Sequence, residues 1–372
     1  MKIPLSRPDI TEKEIAAVQE VLLSHTLSLG PKATAFEEEF CRYLPIPHAV
    51  AVNSGTAGLH LLVRALKISR GDEVITTPFS FIASSNCLLY EGATPVFVDI
   101  DPFTMNMDPN LIEAKITPRT KALLPVHVFG LPADMPAITS LAKLYHLKMI
   151  EDTCEALGTE IWGKKAGTFA DGAVFAFYPN KQITTGEGGM IVTTDPEICE
   201  LCSSMRNQGR GKNSSWLIHE RLGYNYRMNE LSAALGLVQL NRIEEIIRKR
   251  SLVAEAYRQR LEEIPQVIVP KTPENAKISW FVYVIRFLPE IDRDQIMQFL
   301  LNHGIDCRPY FPPIHLQPFY QKNFGYRKGD FPITERIASS TLALPFFNNL
   351  QEGEIDFVVD TLKQALKKSR KP

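Results

Sequence analysis

Short apolar runs alternate with amphipathic segments along the first two thirds of the chain. Apolar runs bounded by turn residues predict buried strands, and apolar residues spaced three and four apart predict helices. The predicted strands are 49–52, 73–77, 94–98, 122–126, 148–151, 173–177 and 190–193. Helical patterns lie between most of them, such as 81–90 and 138–145. Strands separated by helices predict an α/β fold with a mostly parallel sheet covered on both faces.

The last third of the chain predicts a second domain. Residues 229–264 have a helical pattern throughout, with Gly236 as the single weak point, and a helix of that length commonly connects two lobes. Further on, the pattern predicts a strand and two helices, over 280–287, 292–303 and 354–366. We therefore predict a large domain of residues 1–245 and a smaller C-terminal domain of residues 246–372.

Length and charge restrict the classes of function. The 372 residues are enough for a large core with a second lobe. Lys and Arg number 41 against 42 for Asp and Glu, and a net charge of −1 does not favour nucleic acid or an anionic membrane as partner. We find no apolar run long enough to span a bilayer and no signal-peptide pattern at the start. We predict a cytoplasmic protein.

The six cysteines are dispersed along the chain. Cys199 and Cys202 have the spacing of half a metal or redox site, but no second pair accompanies them. They lie in a segment with a helical pattern, where two thiols on one helix face are the simpler interpretation. We predict no metal site.

Lys181 lies on a predicted turn between the strand 173–177 and a glycine cluster at 186–189. This arrangement presents one amine on a short, rigid approach beside backbone with little side-chain bulk. Asp152 follows the strand 148–151 at its carboxyl end, where ligands of open α/β sheets bind. Pyridoxal phosphate needs a lysine for covalent attachment and an acidic partner for its pyridine nitrogen. An isolated lysine is usually a solvated surface charge, but this setting predicts a pyridoxal-phosphate site.

Three further segments suit the same site. Residues 53–57 join a strand to a helix, whose N-terminal N–H groups could bind phosphate, although Ser and Thr there are also ordinary helix caps. Phe81 could stack on a flat heterocycle, although an aromatic residue in this position is more often part of the core. Residues 223–230 mix aromatic and polar side chains, which suits an interface, a substrate edge or a capping loop in which Asn229 caps the helix.

Together these motifs resemble the DegT/DnrJ/EryC1/StrS family of sugar aminotransferases. The resemblance runs from residue 4 to about residue 345, and the matching segments occur in the family's order. These segments are NSGTAGLH at 53–60, TPFSFIAS at 77–84, PVFVDI at 95–100, VHVFG at 126–130, ED at 151–152, GEGG at 186–189, GYNYRM at 223–228 and IH at 314–315. The resemblance implies fold type I of the pyridoxal-phosphate enzymes. That fold has a three-layer αβα large domain around a mostly parallel mixed sheet and a smaller α+β C-terminal domain.

The resemblance also implies roles for cofactor-binding residues. Lys181 would bond covalently to pyridoxal phosphate and act as general base. Asp152 would pair with the pyridinium nitrogen, and Phe81 would stack against the ring. The backbone at the first helix turn, formed by Gly55, Thr56 and Ala57, would bind the phosphate. Thr56 and Ala57 would supply the N–H groups.

Other implied roles concern a second subunit and the sugar. Asn225 would reach the phosphate of the neighbouring subunit's cofactor, so the resemblance implies a homodimer with shared active sites. Tyr310 and His315 would lie where the C-terminal domain closes over a sugar nucleotide.

The chain departs from the family pattern at two cofactor positions. Ala176 replaces a phosphate-binding Ser, a loss of about 1.5–3 kcal/mol that Ser54, Asn225 or water could offset. Glu155 replaces a Gln near the cofactor's phenolic oxygen, and we expect its carboxyl group to be protonated or to contact a cation. A Glu at this position is typical of perosamine-synthase-like members, which act on a GDP-linked 4-keto-6-deoxy sugar.

The implied reaction moves an amino group from L-glutamate to a keto group of a nucleotide-linked deoxy sugar, for a surface polysaccharide or glycoside. A 3-keto sugar or a ketocyclitol are alternative acceptors. A sugar dehydratase is disfavoured, because dehydratases of the family have histidine where this chain has Lys181. A non-catalytic cofactor-binding subunit need not keep Lys181 and Asp152 together. A nicotinamide-dependent enzyme is disfavoured because no G-x-G-x-x-G follows the first strand.

Overall fold

The computed structural model describes residues 1–211 and 217–368. Its helices are α1 (Glu12–Ser24), α2 (Pro31–Tyr43), α3 (Gly55–Ala65), α4 (Ala83–Tyr90), α5 (Met135–Leu144), α6 (Pro196–Arg206), α7 (Glu230–Asn241), α8 (Ile243–Leu261), α9 (Arg293–Asn302), α10 (Pro318–Phe324), α11 (Pro332–Ser340) and α12 (Glu352–Lys368). Its strands are β1 (His48–Val52), β2 (Glu73–Thr76), β3 (Thr94–Phe97), β4 (Thr120–Leu123), β5 (Lys148–Asp152), β6 (Glu160–Ile161), β7 (Lys164–Lys165), β8 (Gly172–Ala176), β9 (Gly189–Thr193), β10 (Val267–Ile268), β11 (Ala276–Lys277), β12 (Tyr283–Phe287) and β13 (Thr341–Leu344).

Seven strands form the main sheet, in the order β1-β9-β8-β5-β4-β2-β3. Strands β3, β2, β4, β5 and β8 pair in parallel, whereas β9 runs antiparallel to both β8 and β1. Each of the seven predicted strands belongs to this sheet, so the prediction of a mostly parallel mixed sheet is confirmed. The carboxyl ends of the five parallel neighbours lie at one edge, where ligands of such sheets bind.

Alternate side chains of the central strands enter two separate cores. Val174 and Ile191 pack against α3 on one face. Phe175 and Met190 pack with residues of α2 and α7, such as Phe36, on the other face. The sheet is therefore covered on both faces, which confirms the predicted three-layer αβα arrangement.

A smaller, three-stranded antiparallel sheet has the order β10-β12-β13. It has its own core, separate from the two cores of the main sheet, and we call it the second core. Helices α8, α9 and α12 supply much of its apolar surface. The predicted domain boundary near residue 245 stays a prediction, and it falls inside α8. Ile246 and Ile247 at the start of α8 pack in the core of the main sheet, whereas Tyr257 and Leu261 pack in the second core. Helix α8 thus contacts a core of the main sheet as well as the second core.

The prediction of one continuous helix over 229–264 is wrong. The helix breaks at Arg242, whose backbone has φ −105° and ψ 8°. Its guanidinium group binds Glu14 (Nη1 to Oε1, 2.6 Å) and Asp9 (Nη2 to Oδ2, 3.4 Å). These contacts are distant in sequence, so the local pattern does not reveal them. Gly236 lies within α7 instead, where a Cβ atom would come 2.8 Å from the ring of Phe36.

Helix α1 leaves apolar side chains on the surface. Five leucine and isoleucine residues on α1 and the turn after it are at least 47% exposed, and we call them the N-terminal apolar surface: Ile15, Leu22, Leu23, Leu27 and Leu29. Exposed apolar patches on a folded domain often mark an interaction site. Within residues 1–211 and 217–368, no helix combines the length and apolarity needed to cross a membrane.

Candidate active site

A cavity of about 690 Å³ lies at the carboxyl edge of the main sheet. Its walls come from the segments after β2, β4, β5 and β8 and from the start of α3. The opposite wall comes from the C-terminal third of the chain, through Phe281 and residues 308–312. Both parts of the fold therefore contribute side chains to one cavity.

Lys181 lies on the turn after β8, and its side chain is 13% exposed. The N–H group of Lys181 donates to the carbonyl oxygen of Tyr178 at 2.9 Å, which closes the turn. The Nζ atom is 3.3 Å from Oε1 of Glu155 and 3.8 Å from the ring centroid of Phe281. The amine is thus held at the cavity wall between a carboxyl group and an aromatic face.

Glu155 is buried directly below that amine. Burial raises the pKa of its carboxyl group, and the nearby Lys181 ammonium opposes this shift. The second carboxyl oxygen, Oε2, accepts the N–H group of Phe129 at 2.8 Å. The expected contact of Glu155 with a cation is present, and the cation is Lys181.

Asp152 ends β5, and its carboxylate is oriented by two donors. Oδ2 accepts the hydroxyl of Ser84 at 2.7 Å, and Oδ1 accepts the N–H group of Cys154 at 3.1 Å. The hydroxyl groups of Ser84 and Ser80 lie 2.8 Å apart. These two hydrogen bonds fix the direction of both carboxyl oxygens. Asp152 therefore offers a fixed carboxylate at the cavity wall, as a pyridine nitrogen would require.

The start of α3 forms a close-packed cradle beside the strand ends. Ser54 caps the helix, and its Oγ accepts the N–H group of Ala57 at 3.1 Å. A Cβ atom on Gly55 would come 2.7 Å from the Cβ of Ala176, so only glycine fits there. Gly55 and Thr56 line the cavity, whereas Ala57 does not. The predicted phosphate contact of Ala57 would require its N–H group to leave Ser54.

Two predicted aromatic residues also line the cavity. Phe81 is 61% exposed, so its ring is available to a flat ligand instead of the core. Tyr310 stacks on Phe311, with ring centroids 5.0 Å apart. Both rings are therefore available to a ligand in the cavity.

Besides Ala57, two predicted site residues lie outside the cavity lining, Asn225 and His315. Asn225 is exposed, and its carbonyl oxygen accepts Nδ2 of Asn53 at 3.3 Å, beside the cradle. His315 is fully buried; its Nε2 pairs with Oε1 of Glu335 at 3.0 Å and its ring packs on Phe331. Burial lowers the pKa of His315. A sugar contact by His315 would require this packing to open, so the geometry does not support that prediction.

The cavity residues that were given no role by the sequence include Ser84, Phe281 and Arg308. Ser84 lies inside the motif at 77–84, and Arg308 lies two residues before Tyr310, so both were near residues that the sequence singled out. Phe281 lies far along the chain from Lys181, and nothing in its local sequence indicates the contact.

The residues present fit pyridoxal phosphate. The amine of Lys181 and the oriented carboxylate of Asp152 line the same cavity, with the exposed ring of Phe81. A helix start with N–H groups and small residues suits the phosphate. A mixed seven-stranded sheet with this site at its carboxyl edge defines a pyridoxal-phosphate-dependent enzyme of fold type I. A family model described as the DegT/DnrJ/EryC1/StrS aminotransferase family matches residues 8–363. The chain belongs to this family, and it is a pyridoxal-phosphate-dependent sugar aminotransferase.

Relatives over nearly the whole chain agree with this assignment. The GDP-perosamine synthase of Caulobacter vibrioides is 40% identical over 342 residues, which are 91% of each chain. The spore coat polysaccharide biosynthesis protein SpsC of Bacillus subtilis is 38% identical over 378 residues, 98% of this chain and 97% of SpsC.

Solved structures show the same architecture. Helicobacter pylori PseC, an aminotransferase involved in the biosynthesis of pseudoaminic acid, has a TM-score of 0.95 at 31% identity, covering 99% of this chain and 100% of PseC. Spr1654 of Streptococcus pneumoniae in its PLP-form has a TM-score of 0.93 at 29% identity, covering 99% of both chains.

Proposed function

We propose that the protein transfers the amino group of L-glutamate to a keto group of a nucleotide-linked deoxy sugar. The acceptor is a GDP-linked 4-keto-6-deoxyhexose, and the product serves a surface polysaccharide or glycoside. The observation that carries the proposal is the position of the Lys181 amine, in one cavity with the oriented carboxylate of Asp152. The GDP-perosamine synthases among the relatives and Glu155 in place of Gln support the choice of acceptor.

Each residue of the site has a distinct task in this reaction. When bound, pyridoxal phosphate supplies a ring that accepts the electron pair released at a substrate carbon. Lys181 would hold the cofactor covalently, and its Nζ would take the proton from the α-carbon of the amino donor. Asp152 keeps the pyridine nitrogen protonated, and Ser84 orients that carboxylate. Gly55 and Thr56 offer N–H groups to the phosphate.

Arg308 supplies a positive charge at the cavity mouth. Within residues 1–211 and 217–368, the cationic side chains that line the cavity are Lys181 and Arg308. Both substrates are anionic, because glutamate carries carboxylates and a nucleotide sugar carries a diphosphate. Arg308 is 52% exposed and already pairs with a carboxylate, Asp306 (Nη1 to Oδ1, 2.9 Å). It is therefore suited to bind the anionic part of each substrate in turn.

The proposal includes a homodimer in the cytoplasm. The N-terminal apolar surface gives a second copy an apolar face to bury. Asn225 is exposed beside the start of α3, where it could serve a neighbouring subunit's site. No disulfide joins any of the six cysteines, all of which lie within residues 1–211 and 217–368, and this suits a reducing compartment.

The test is amino transfer by the purified protein with pyridoxal phosphate and L-glutamate. The acceptors are a GDP-linked 4-keto-6-deoxyhexose, a 3-keto sugar nucleotide and a ketocyclitol, and the products are identified by mass spectrometry. We expect an amino sugar and an equal amount of 2-oxoglutarate with the first acceptor. Lys181→Ala should abolish both products, whereas Lys322→Ala, at an exposed lysine of α10, should not. Near-normal turnover by Lys181→Ala would contradict the proposed role of Lys181, and amination of another acceptor alone would change the substrate.

A further inference from the structure

Phe281 contacts the amine that carries out the chemistry. Its ring centroid is 3.8 Å from Nζ of Lys181, on a different side from the Glu155 oxygen at 3.3 Å. Phe281 is 2% exposed and lines the cavity. We propose that Phe281 is a catalytic residue that holds the Lys181 amine at the cavity wall, and that Arg250 and Gln182 are positioning residues that hold Phe281. This inference rests on the proposed function of Lys181.

The segment 279–281 has its three consecutive carbonyl oxygens bound by side chains. Ser279 O accepts Nε2 of Gln182 at 2.9 Å. Trp280 O and Phe281 O accept Nε and Nη2 of Arg250, at 2.6 Å and 2.7 Å. The segment lies outside the regular ladder of β12, so these side chains replace the strand pairing that would otherwise fix its backbone. The position of the Phe281 ring is therefore set by contacts from two other parts of the chain.

Arg250 reaches the segment from α8. It is 4% exposed, its Nη1 donates to Oδ1 of Asn348 at 3.0 Å, and its guanidinium group lies 5.1 Å from the ring centroid of Phe346. Burial lowers the pKa of Arg250 to about 10, which reflects the cost of keeping a guanidinium group away from water. That group donates to two carbonyl oxygens at the active site. Removing it would leave both carbonyls without these donors, so the geometry of the segment depends on Arg250.

Gln182 connects the same segment to the lysine turn. It follows Lys181 in the chain, and its Nε2 donates to both Ser279 O (2.9 Å) and Glu155 O (2.7 Å). The N–H group of Ser279 in turn donates to Oγ1 of Thr159 at 3.1 Å. The turn that carries the reactive amine and the segment that carries Phe281 are thus hydrogen-bonded to each other.

This arrangement has a chemical consequence for the amine. The face of an aromatic ring attracts a cation, and the attraction is stronger where water is excluded. Phe281 favours a proton on the nitrogen of Lys181 and limits the positions that the nitrogen occupies when it is released from the cofactor. A simple core role for Phe281 would involve apolar packing alone and would leave protonation of that nitrogen unchanged.

The experiment compares Phe281→Leu with Phe287→Leu, a matched change at a β12 phenylalanine that is also 2% exposed and packs in the second core. The readout is the absorbance of the cofactor-loaded protein as a function of pH. We expect Phe281→Leu to lower the midpoint of this titration by about 0.4 to 1.5 pH units and to reduce kcat about 2- to 30-fold, with little change in either KM. Phe281→Tyr, which keeps an aromatic face, should restore the midpoint. Phe287→Leu should leave it unchanged.

Two outcomes would overturn the inference: equal midpoints for wild type and Phe281→Leu, or equal shifts in both leucine variants. Arg250→Lys keeps the charge but loses the planar fork, so it should also lower the midpoint. Phe287→Leu is the control for loss of stability: where the two variants are equally destabilised, Arg250→Lys should show the larger shift of the midpoint. A midpoint that stays at the wild-type value in Arg250→Lys would remove Arg250 from the positioning role. Failure of the proposed role of Lys181 would give a different result from failure of this inference. In that case the wild type itself would lack the absorbance band that depends on Lys181.

Discussion

The hydrogen bond from Ser84 to Asp152 gives the sharpest test of the site. Ser84→Ala removes a 2.7 Å bond to a carboxylate that is 4% exposed, and it leaves the 3.1 Å bond from Cys154 in place. A hydrogen bond to a charged group contributes about 1.5–3 kcal/mol. Since about 1.4 kcal/mol is tenfold in an equilibrium constant, the cofactor affinity should fall about 10- to 100-fold. The lower half of that range applies if cavity water replaces the hydroxyl.

The assay is a titration of the purified protein with pyridoxal phosphate, followed by absorbance, together with urea unfolding of the cofactor-free protein. Ser85→Ala is the matched control, because Ser85 is buried on the same helix but does not line the cavity. Ser84→Thr keeps a hydroxyl group and should retain most of the affinity. If Ser84→Ala binds the cofactor as tightly as Ser85→Ala, Ser84 does not orient Asp152 for the cofactor and the reasoning is refuted.

Two further predictions concern Arg308 and Glu155. Because Arg308 is proposed to bind the anionic part of each substrate in turn, Arg308→Ala should raise KM about tenfold for both glutamate and the sugar nucleotide, with little change in kcat. Two unchanged KM values would exclude the role. Because burial raises the pKa of Glu155, the folded protein holds its carboxyl proton to higher pH than the unfolded chain does. The unfolded chain has the ordinary glutamate pKa of 4.5. The contribution of the Glu155 proton to the free energy of unfolding is fully present below that pH, and it is lost as the pH rises through the pKa of Glu155 in the folded protein. Urea unfolding should therefore show that Glu155→Gln gains stability relative to wild type as the pH rises above the ordinary glutamate pKa. A difference in the free energy of unfolding that does not change with pH would contradict the raised pKa of Glu155.

The main sheet was predictable because its strands are buried on both faces. Strands such as β8 and β9 are continuous apolar runs, and such runs stand out from the amphipathic helices around them. Helix α2 was not predicted, and the short strands β10 and β11 were also missed. Two-residue strands form through pairing with a distant partner, as β11 does with β6, and their local sequence contains little signal. The helix break at Arg242 was missed for the same reason.

The candidate site divides in a similar way. Lys181 and Asp152 were found because each follows a strong strand and sits in a recognisable motif. The hydrogen bond of Ala57 to Ser54 is a local helix cap, which the sequence left open beside the phosphate role. Burial of His315 against Phe331 depends on packing and was not visible in the sequence. The domain boundary, the dimer and the individual roles of the site residues stay predictions, and the experiments above address the roles of the site residues.

The fold class, the family and the lysine–carboxylate pair could be read from the sequence, because continuous apolar runs, period-3.6 patterns and short motifs are local properties of the chain. Only the tertiary structure decided what surrounds the Lys181 amine. Phe281 reaches it from a segment that is remote in sequence, and Arg250 of α8 binds the backbone of that segment. Glu155 contacts it because the ends of β5 and β8 lie side by side. Protonation and position of an amine depend on the charges and rings within a few ångströms of it, and those neighbours are set by packing of distant segments.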